Sequence, residues 1–261
     1  MCTVTFIPRP TGYGLAMNRD EKRTRVKGLP PSTKSADGRR VVCPSEPGGG
    51  TWLALNDSGA TLALVNWYSV SARVHSLPQS RGEVVNAVSA AATAAQAGER
   101  LSRLPLRRVN PFRLVGIFPA VREILEWRWD LKQLVCKRHR WRAQQWISSG
   151  FDEPAAQLVR GRTFRRAQRQ KSAGTLGWLR RLHRSHSPGR GPFSTCMHRA
   201  DAATVSYTEV VVGKRRATLR YLPGPPCRRK LRSRRTPLVL AKGRPGRRGA
   251  RSRPGMRQRH G

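Results

Sequence analysis

Cys2-Thr3-Val4-Thr5-Phe6-Ile7-Pro8-Arg9-Pro10-Thr11-Gly12-Tyr13-Gly14-Leu15-Ala16-Met17-Asn18-Arg19-Asp20-Glu21 follows Met1 and decides the fold. β-branched and aromatic residues alternate with others on both sides of Pro10-Thr11-Gly12, which predicts a hairpin of strands 2–7 and 13–18. An antiparallel return of this length carries Asn18-Arg19-Asp20-Glu21 back beside Cys2. A thiol, an arginine and two carboxylates thus converge at one strand end.

Two more hairpins read the same way. Strands 51–55 and 61–66 flank Asn56-Asp57-Ser58-Gly59, and strands 204–212 and 217–221 flank Gly213-Lys214. Further strands are predicted at 112–118, 127–135 and 140–148. Between them lie helical stretches. The Ala-rich segment 83–101 favours a helix. Asp152-Glu153-Pro154 opens another that runs to about Gln170, and a third over 173–185 carries Leu176, Trp178, Leu179 and Leu182 on one stripe. Hairpins at both ends with helices between them predict an α+β layering of sheets covered by helices.

With 52 Lys and Arg against 14 Asp and Glu, the net charge of +38 raises nucleic acid as a partner. The cations, however, are scattered through patterned segments, and no zinc-finger, RNP or homeodomain pattern accompanies them. A solvated basic surface, with non-specific polyanion binding through the tail, is the expectation. One domain is predicted over residues 1–227. Residues 228–261 hold 14 Lys or Arg and no acid, and this Arg/Gly/Pro-rich tail is expected to be disordered. The N-terminus lacks the basic and apolar regions of a signal peptide, and no apolar run is long enough for a membrane span. The five dispersed cysteines argue for reduced thiols, so the expected location is cytoplasmic.

Cys2 is the most informative position. Removal of Met1 would leave its α-amine, with a reference pKa of about 7.7–8.0, beside its own thiol, so one residue could supply both base and nucleophile. Taken alone, Cys2 reads equally as the start of a strand. Likewise Asn-Arg-Asp-Glu alone reads as a solvated turn, and Asn66 as a strand-end cap. Cys196-x-His198 hints at a metal or a Cys-His pair, but a metal site needs about four ligands and the spacing of the other histidines completes none. No metal and no cofactor are expected. His183 and His186 are read as capping or surface residues, and His198 as at most a site contributor.

Five stretches, in this order, are similar to the Asn-Arg-Asp-Glu family, also called the transport-and-Golgi-organisation family. They are Met1-Cys2-Thr3, Gly14-Leu15-Ala16-Met17-Asn18-Arg19-Asp20-Glu21, Gly49-Gly50-Thr51-Trp52, Leu62-Ala63-Leu64-Val65-Asn66-Trp67-Tyr68 and residues 198–206. That family resembles N-terminal-nucleophile hydrolases of the bile-acid hydrolase and penicillin V acylase group. The resemblance implies an αββα four-layer sandwich. It also implies Cys2 as nucleophile, Asp20 orienting its amine, and Asn66 as oxyanion donor. Arg19 stands next to Asp20, whereas the hydrolases' arginine precedes the aspartate by three residues. The implied function is cleavage of a non-peptide amide or acyl compound by a cysteine amidohydrolase. The alternative is a non-catalytic binding or trafficking protein for a hydrophobic metabolite such as haem or an acyl carrier.

Overall fold

In the computed structural model, which describes residues 2–228 and 233–241, the first hairpin forms as β1 (Cys2–Arg9) and β2 (Gly12–Lys22). Cys2 pairs with Arg19 and Thr3 with Asn18. Gly12 turns the tip at φ 139°, where a Cβ would stand 2.2 Å from the Val212 carbonyl oxygen, so no larger residue fits.

The hairpin sits inside a six-stranded antiparallel sheet. Across it run β10 (Gln144–Ser148), β1, β2, β11 (Ala202–Val212), β12 (Arg216–Pro223) and β13 (Arg234–Val239). A seven-stranded sheet faces it, in the order β3 (Leu29–Ala36), β4 (Arg39–Ser45), β5 (Leu53–Asn56), β6 (Thr61–Asn66), β7 (Phe112–Phe118), β8 (Glu123–Trp129) and β9 (Leu134–His139). The period-two pattern sorts the side chains. Val4, Phe6, Leu15 and Met17 meet Leu53, Leu55, Val65 and Val115 between the sheets. Each such buried side chain contributes about 1.5–3 kcal/mol.

Helices α1 (Arg81–Val88) and α2 (Ala94–Ser102) cover the outer face of the larger sheet, with Val84, Val88 and Leu101 against Leu62 and Leu114. On the other side, α3 (Glu153–Gln168) and α4 (Leu176–Arg184) press Phe164, Trp178 and Leu182 onto Ile7, Ala16 and Tyr207. The layers are therefore helix, sheet, sheet, helix.

Several expected elements are corrected. The single helix over 83–101 is two, because the Asn56 side chain donates to the carbonyls of Ser89 and Ala91 at 3.0 and 2.8 Å and Thr93 caps a fresh start. The strand expected at 127–135 is interrupted after Trp129, where Asp130 accepts from the backbone N–H groups of Lys132 and Gln133. The one expected at 140–148 starts only at Gln144. β3 and β4 went unpredicted, although their Asp37-Gly38 turn, with φ of 49° and 72°, is a recognised hairpin signal. Disorder from residue 228 is corrected for 233–241. There β13 pairs with β12 and buries Leu238, so the sheet runs past the expected domain end. The rest of the expected tail, 229–232 and 242–261, lies outside the described residues. Among the described residues, no helix is long and apolar enough to cross a membrane.

Candidate active site

Strand periodicity sends Cys2 the way of Val4 and Phe6, into the space between the sheets, where it is 8% exposed. There a cavity of about 290 Å³ is lined by Cys2, Arg19, Asp20, Trp52, Asn66 and Arg81, among others. All four residues singled out from the sequence, Cys2, Arg19, Asp20 and Asn66, border this one space. Burial pushes the Cys2 thiol up, opposed by the terminal ammonium and by Arg19, and a backbone hydrogen bond from Asp20 favours the thiolate.

The Asn-Arg-Asp-Glu signature alternates its jobs across β2. Asn18 faces the helices, where its Nδ2 donates to the carbonyls of His183 and Thr195 at 2.9 and 2.8 Å. That clamps the end of α4 and the following loop to the sheet. Arg19 faces the other sheet, 4.5 Å over the Trp52 ring, and pairs with Glu46 at 2.5 Å and Glu21 at 3.4 Å. Asp20 is fully buried. One carboxylate oxygen lies 3.2 Å from Arg160 Nη1, and the other accepts from Thr204 Oγ1 at 2.7 Å. Glu21 completes the set by pairing with Arg25 at 3.0 Å. Burial raises the Asp20 pKa, while Arg160 and Thr204 pull it back. A bulge in β11 between Thr204 and Ser206 shifts the pairing where Thr204 meets Asp20.

Asn66 ends β6, and its Nδ2 donates to Tyr68 Oη at 2.8 Å. An amide nitrogen carries two hydrogens, so the second is available to another acceptor. For Tyr68, burial would raise the phenol, but the terminal ammonium, Asn66 and Arg81 outweigh it and lower its pKa.

Arg160, Tyr68 and Arg81 were missed from the sequence. Arg160 had a signal: with Ala156 and Phe164 it shares the buried stripe of α3 at four-residue spacing, an unusual place for a cation. Tyr68 closes the family-like stretch 62–68 without a role assigned to it there, and Arg81 carries no signal, since only the first turn of α1 brings it in. His183 corrects the surface expectation. It is fully buried, with Nδ1 3.0 Å from Asn18 Oδ1 and Nε2 3.0 Å from Thr5 Oγ1, and burial followed by Arg160 holds its pKa down at about 3. A second correction concerns ligand spacing. Chain folding brings His186 and Cys227 to Cys196 and His198, so that one donor atom from each lies within 4.8 Å of the others.

Beside the Cys2 cavity lies a second one of about 460 Å³. It shares Arg19, Glu21 and Arg25 and adds Lys22, Arg23, Arg190 and Arg228, a strongly cationic wall.

In overall structure the chain is similar to penicillin V acylase from Agrobacterium tumefaciens, with a TM-score of 0.47 and 12% identity over 85% of this chain and 83% of that one. It is also similar to a mutant of conjugated bile acid hydrolase from Clostridium perfringens, with a TM-score of 0.50 and 8% identity over 92% of this chain and 99% of that one. Together with the helix, sheet, sheet, helix layers, the second likeness gives the fold as the N-terminal-nucleophile type of sandwich. Among curated proteins none matches the sequence. The family model for Transport and Golgi organisation 2 matches residues 1–134. With more than half of its 261 residues matched, the chain belongs to the Transport and Golgi organisation 2 family.

Proposed function

We propose that the protein is a cysteine N-terminal-nucleophile amidohydrolase acting on a small non-peptide amide or acyl compound with an anionic end. In this reading Met1 is removed and the Cys2 α-amine takes the thiol proton as sulfur attacks the carbonyl. The C–S bond forms, the tetrahedral oxyanion receives the free N–H of Asn66, and the amine returns the proton to the leaving nitrogen as the C–N bond breaks. Water then cleaves the thioester by the same route. Asp20, held by Arg160 and Thr204, orients the amine. Cys2 pairs with Arg19, so Asp20 stands one residue further along β2, just beyond the start of β1.

The observation that carries the proposal is the shared cavity. Cys2 and Asp20 from one sheet and Asn66 from the other border the same opening. Its cationic neighbour supports an anionic group on the substrate. A haem or other hydrophobic cargo finds less support, because Arg19, Glu21, Arg25, Glu46 and Arg81 all line the cavity. The cysteines, free throughout the described residues, support a reducing, cytoplasmic setting.

The test pairs intact-mass measurement with turnover of a panel of N-acyl amides, anionic and neutral. The mature chain should start at Cys2, and a thiol-reactive acyl probe should label that residue. Cys2→Ala should lower turnover by roughly 10⁴-fold or more, as loss of the nucleophile does in serine hydrolases. Retained Met1 in an active preparation, or undiminished turnover by Cys2→Ala, defeats the reading.

A further inference from the structure

The loop between α4 and β11 folds back on the segment that follows β12. His186, Cys196 and His198 come from the loop and Cys227 from the segment, and the four donor atoms lie within 4.8 Å of one another. We propose that these residues form a structural site for one zinc ion, outside the Cys2 cavity.

Two of the separations already match a coordination shell. Cys196 Sγ and Cys227 Sγ stand 3.7 and 3.4 Å from His198 Nε2. With Zn–S near 2.3 Å and Zn–N near 2.0–2.1 Å, the edges of a zinc tetrahedron are about 3.4–3.8 Å. Two thiolates with two imidazoles are the soft, borderline set that selects zinc over magnesium or calcium. His186 stacks edge-on to His198 with ring centroids 5.1 Å apart, and its Nε2 is buried with no hydrogen-bond partner among the described residues. An imidazole nitrogen left so calls for a partner.

Binding of zinc would release the two thiol protons to solvent and leave a site of zero net charge, Zn²⁺ with two thiolates and two neutral imidazoles. Arg190 Nη2 lies 3.5 Å from His198 Nδ1. That nitrogen carries the proton once Nε2 is bound, so zinc binding would require the exposed Arg190 side chain to turn away.

The ion would fasten two stretches that otherwise meet through contacts such as that of Cys227 with His198. It would also stiffen a short path to Asp20. Met197, between two ligands, donates its N–H to Thr204 Oγ1 at 2.9 Å and accepts from the Thr204 N–H at 2.9 Å, and Thr204 Oγ1 donates to Asp20 Oδ1 at 2.7 Å. With its lone pair occupied by Met197, the threonine hydroxyl has its proton directed to the carboxylate.

The experiment uses the full-length chain purified without chelators, analysed for metal, then stripped and refilled with Zn²⁺ or Co²⁺. About one zinc per chain is expected, and the Co²⁺ form should show tetrahedral ligand-field bands with a thiolate-to-cobalt band. Cys227→Ser should weaken Zn²⁺ binding beyond the roughly 10–100-fold that loss of an outer-shell partner costs, whereas Cys136→Ser should not. Should the Cys227 variant fail to fold, the wild type still decides. Zn²⁺ should protect Cys196 and Cys227 from alkylation in peptide mapping while the exposed Cys136 reacts with and without metal. Octahedral cobalt, absence of micromolar Zn²⁺ binding, equal alkylation of Cys196 and Cys227 in both states, or a Cys196–Cys227 disulfide in the reduced preparation each overturns the proposal.

Discussion

The two faces of β2 near its end are built in opposite ways. On the side toward the other sheet, Cys2, Arg19, Trp52 and Asn66 border a cavity, and pairing within each hairpin together with the facing of the two sheets brings them there. On the helix side, Asn18 and Asp20 are sealed under Arg160, His183 and Thr204, which arrive from α3, α4 and β11. The first face is open and made by nearby chain. The second is closed and made by chain more than 130 residues away, as the separation of Asp20 from Arg160 shows. Asp20 belongs to both: it borders the cavity and is held from behind by Arg160 and Thr204.

Arg160→Met tests that division with the largest stability effect. Leaving Asp20 buried without its cation should cost about 3–5 kcal/mol. The loss should shrink as pH falls and the carboxyl takes up a proton. Urea unfolding at several pH values checks it, and a cost under about 1 kcal/mol would mean the closed face does not depend on this pair.

Asn66→Ala addresses the open face. It should lower kcat by about 10²–10³-fold, or roughly 2.7–4 kcal/mol of transition-state stabilisation, while the unfolding midpoint barely moves. A parallel collapse of stability would show that Asn66 serves the fold instead.

His183 sharpens the contrast through pH. Its pKa is about 3 in the folded chain against an ordinary 6.5, so its contribution is complete above pH 6.5 and is lost as pH falls from there toward 3. The expected slope is up to about 1.4 kcal/mol per pH unit. Comparing unfolding of the parent and His183→Gln at pH 7 and 5 reads this, and equal slopes would contradict it.

The smallest effect belongs to Arg19→Lys. Charge is kept and the 4.5 Å stacking on Trp52 is lost, which should lower stability by about 0.5–1 kcal/mol in thermal melts.

The open face was largely legible in the sequence for a physical reason. Hairpin register is set by turn and alternation, so the meeting of Cys2 with Asn18-Arg19-Asp20-Glu21 follows from twenty consecutive residues. β7 was read to the residue because its apolar run is bounded by Pro111 and Pro119. The closed face was not legible, since which helix residue meets Asp20 depends on how α3 lies across the sheet. Arg160 could be suspected from its apolar neighbours, but its partner could not be named. His183 was misplaced because a histidine near a helix end has the same sequence signature whether that end is solvated or buried. β3 was hidden by Pro30, Pro31 and a polar composition that suits an outer strand and resembles a loop.

That outer strand carries one more meaning. β3 holds Pro30 and Pro31, β9 holds Lys137 and Arg138, and β13 holds Arg234, Arg235 and Pro237, all at sheet margins whose unsatisfied peptide groups could template another chain. Missing N–H donors and crowded like charges on such rims resist fibril growth. Part of the surplus positive charge thereby acts as a colloidal safeguard, keeping copies of a sheet-rich molecule from polymerising margin to margin.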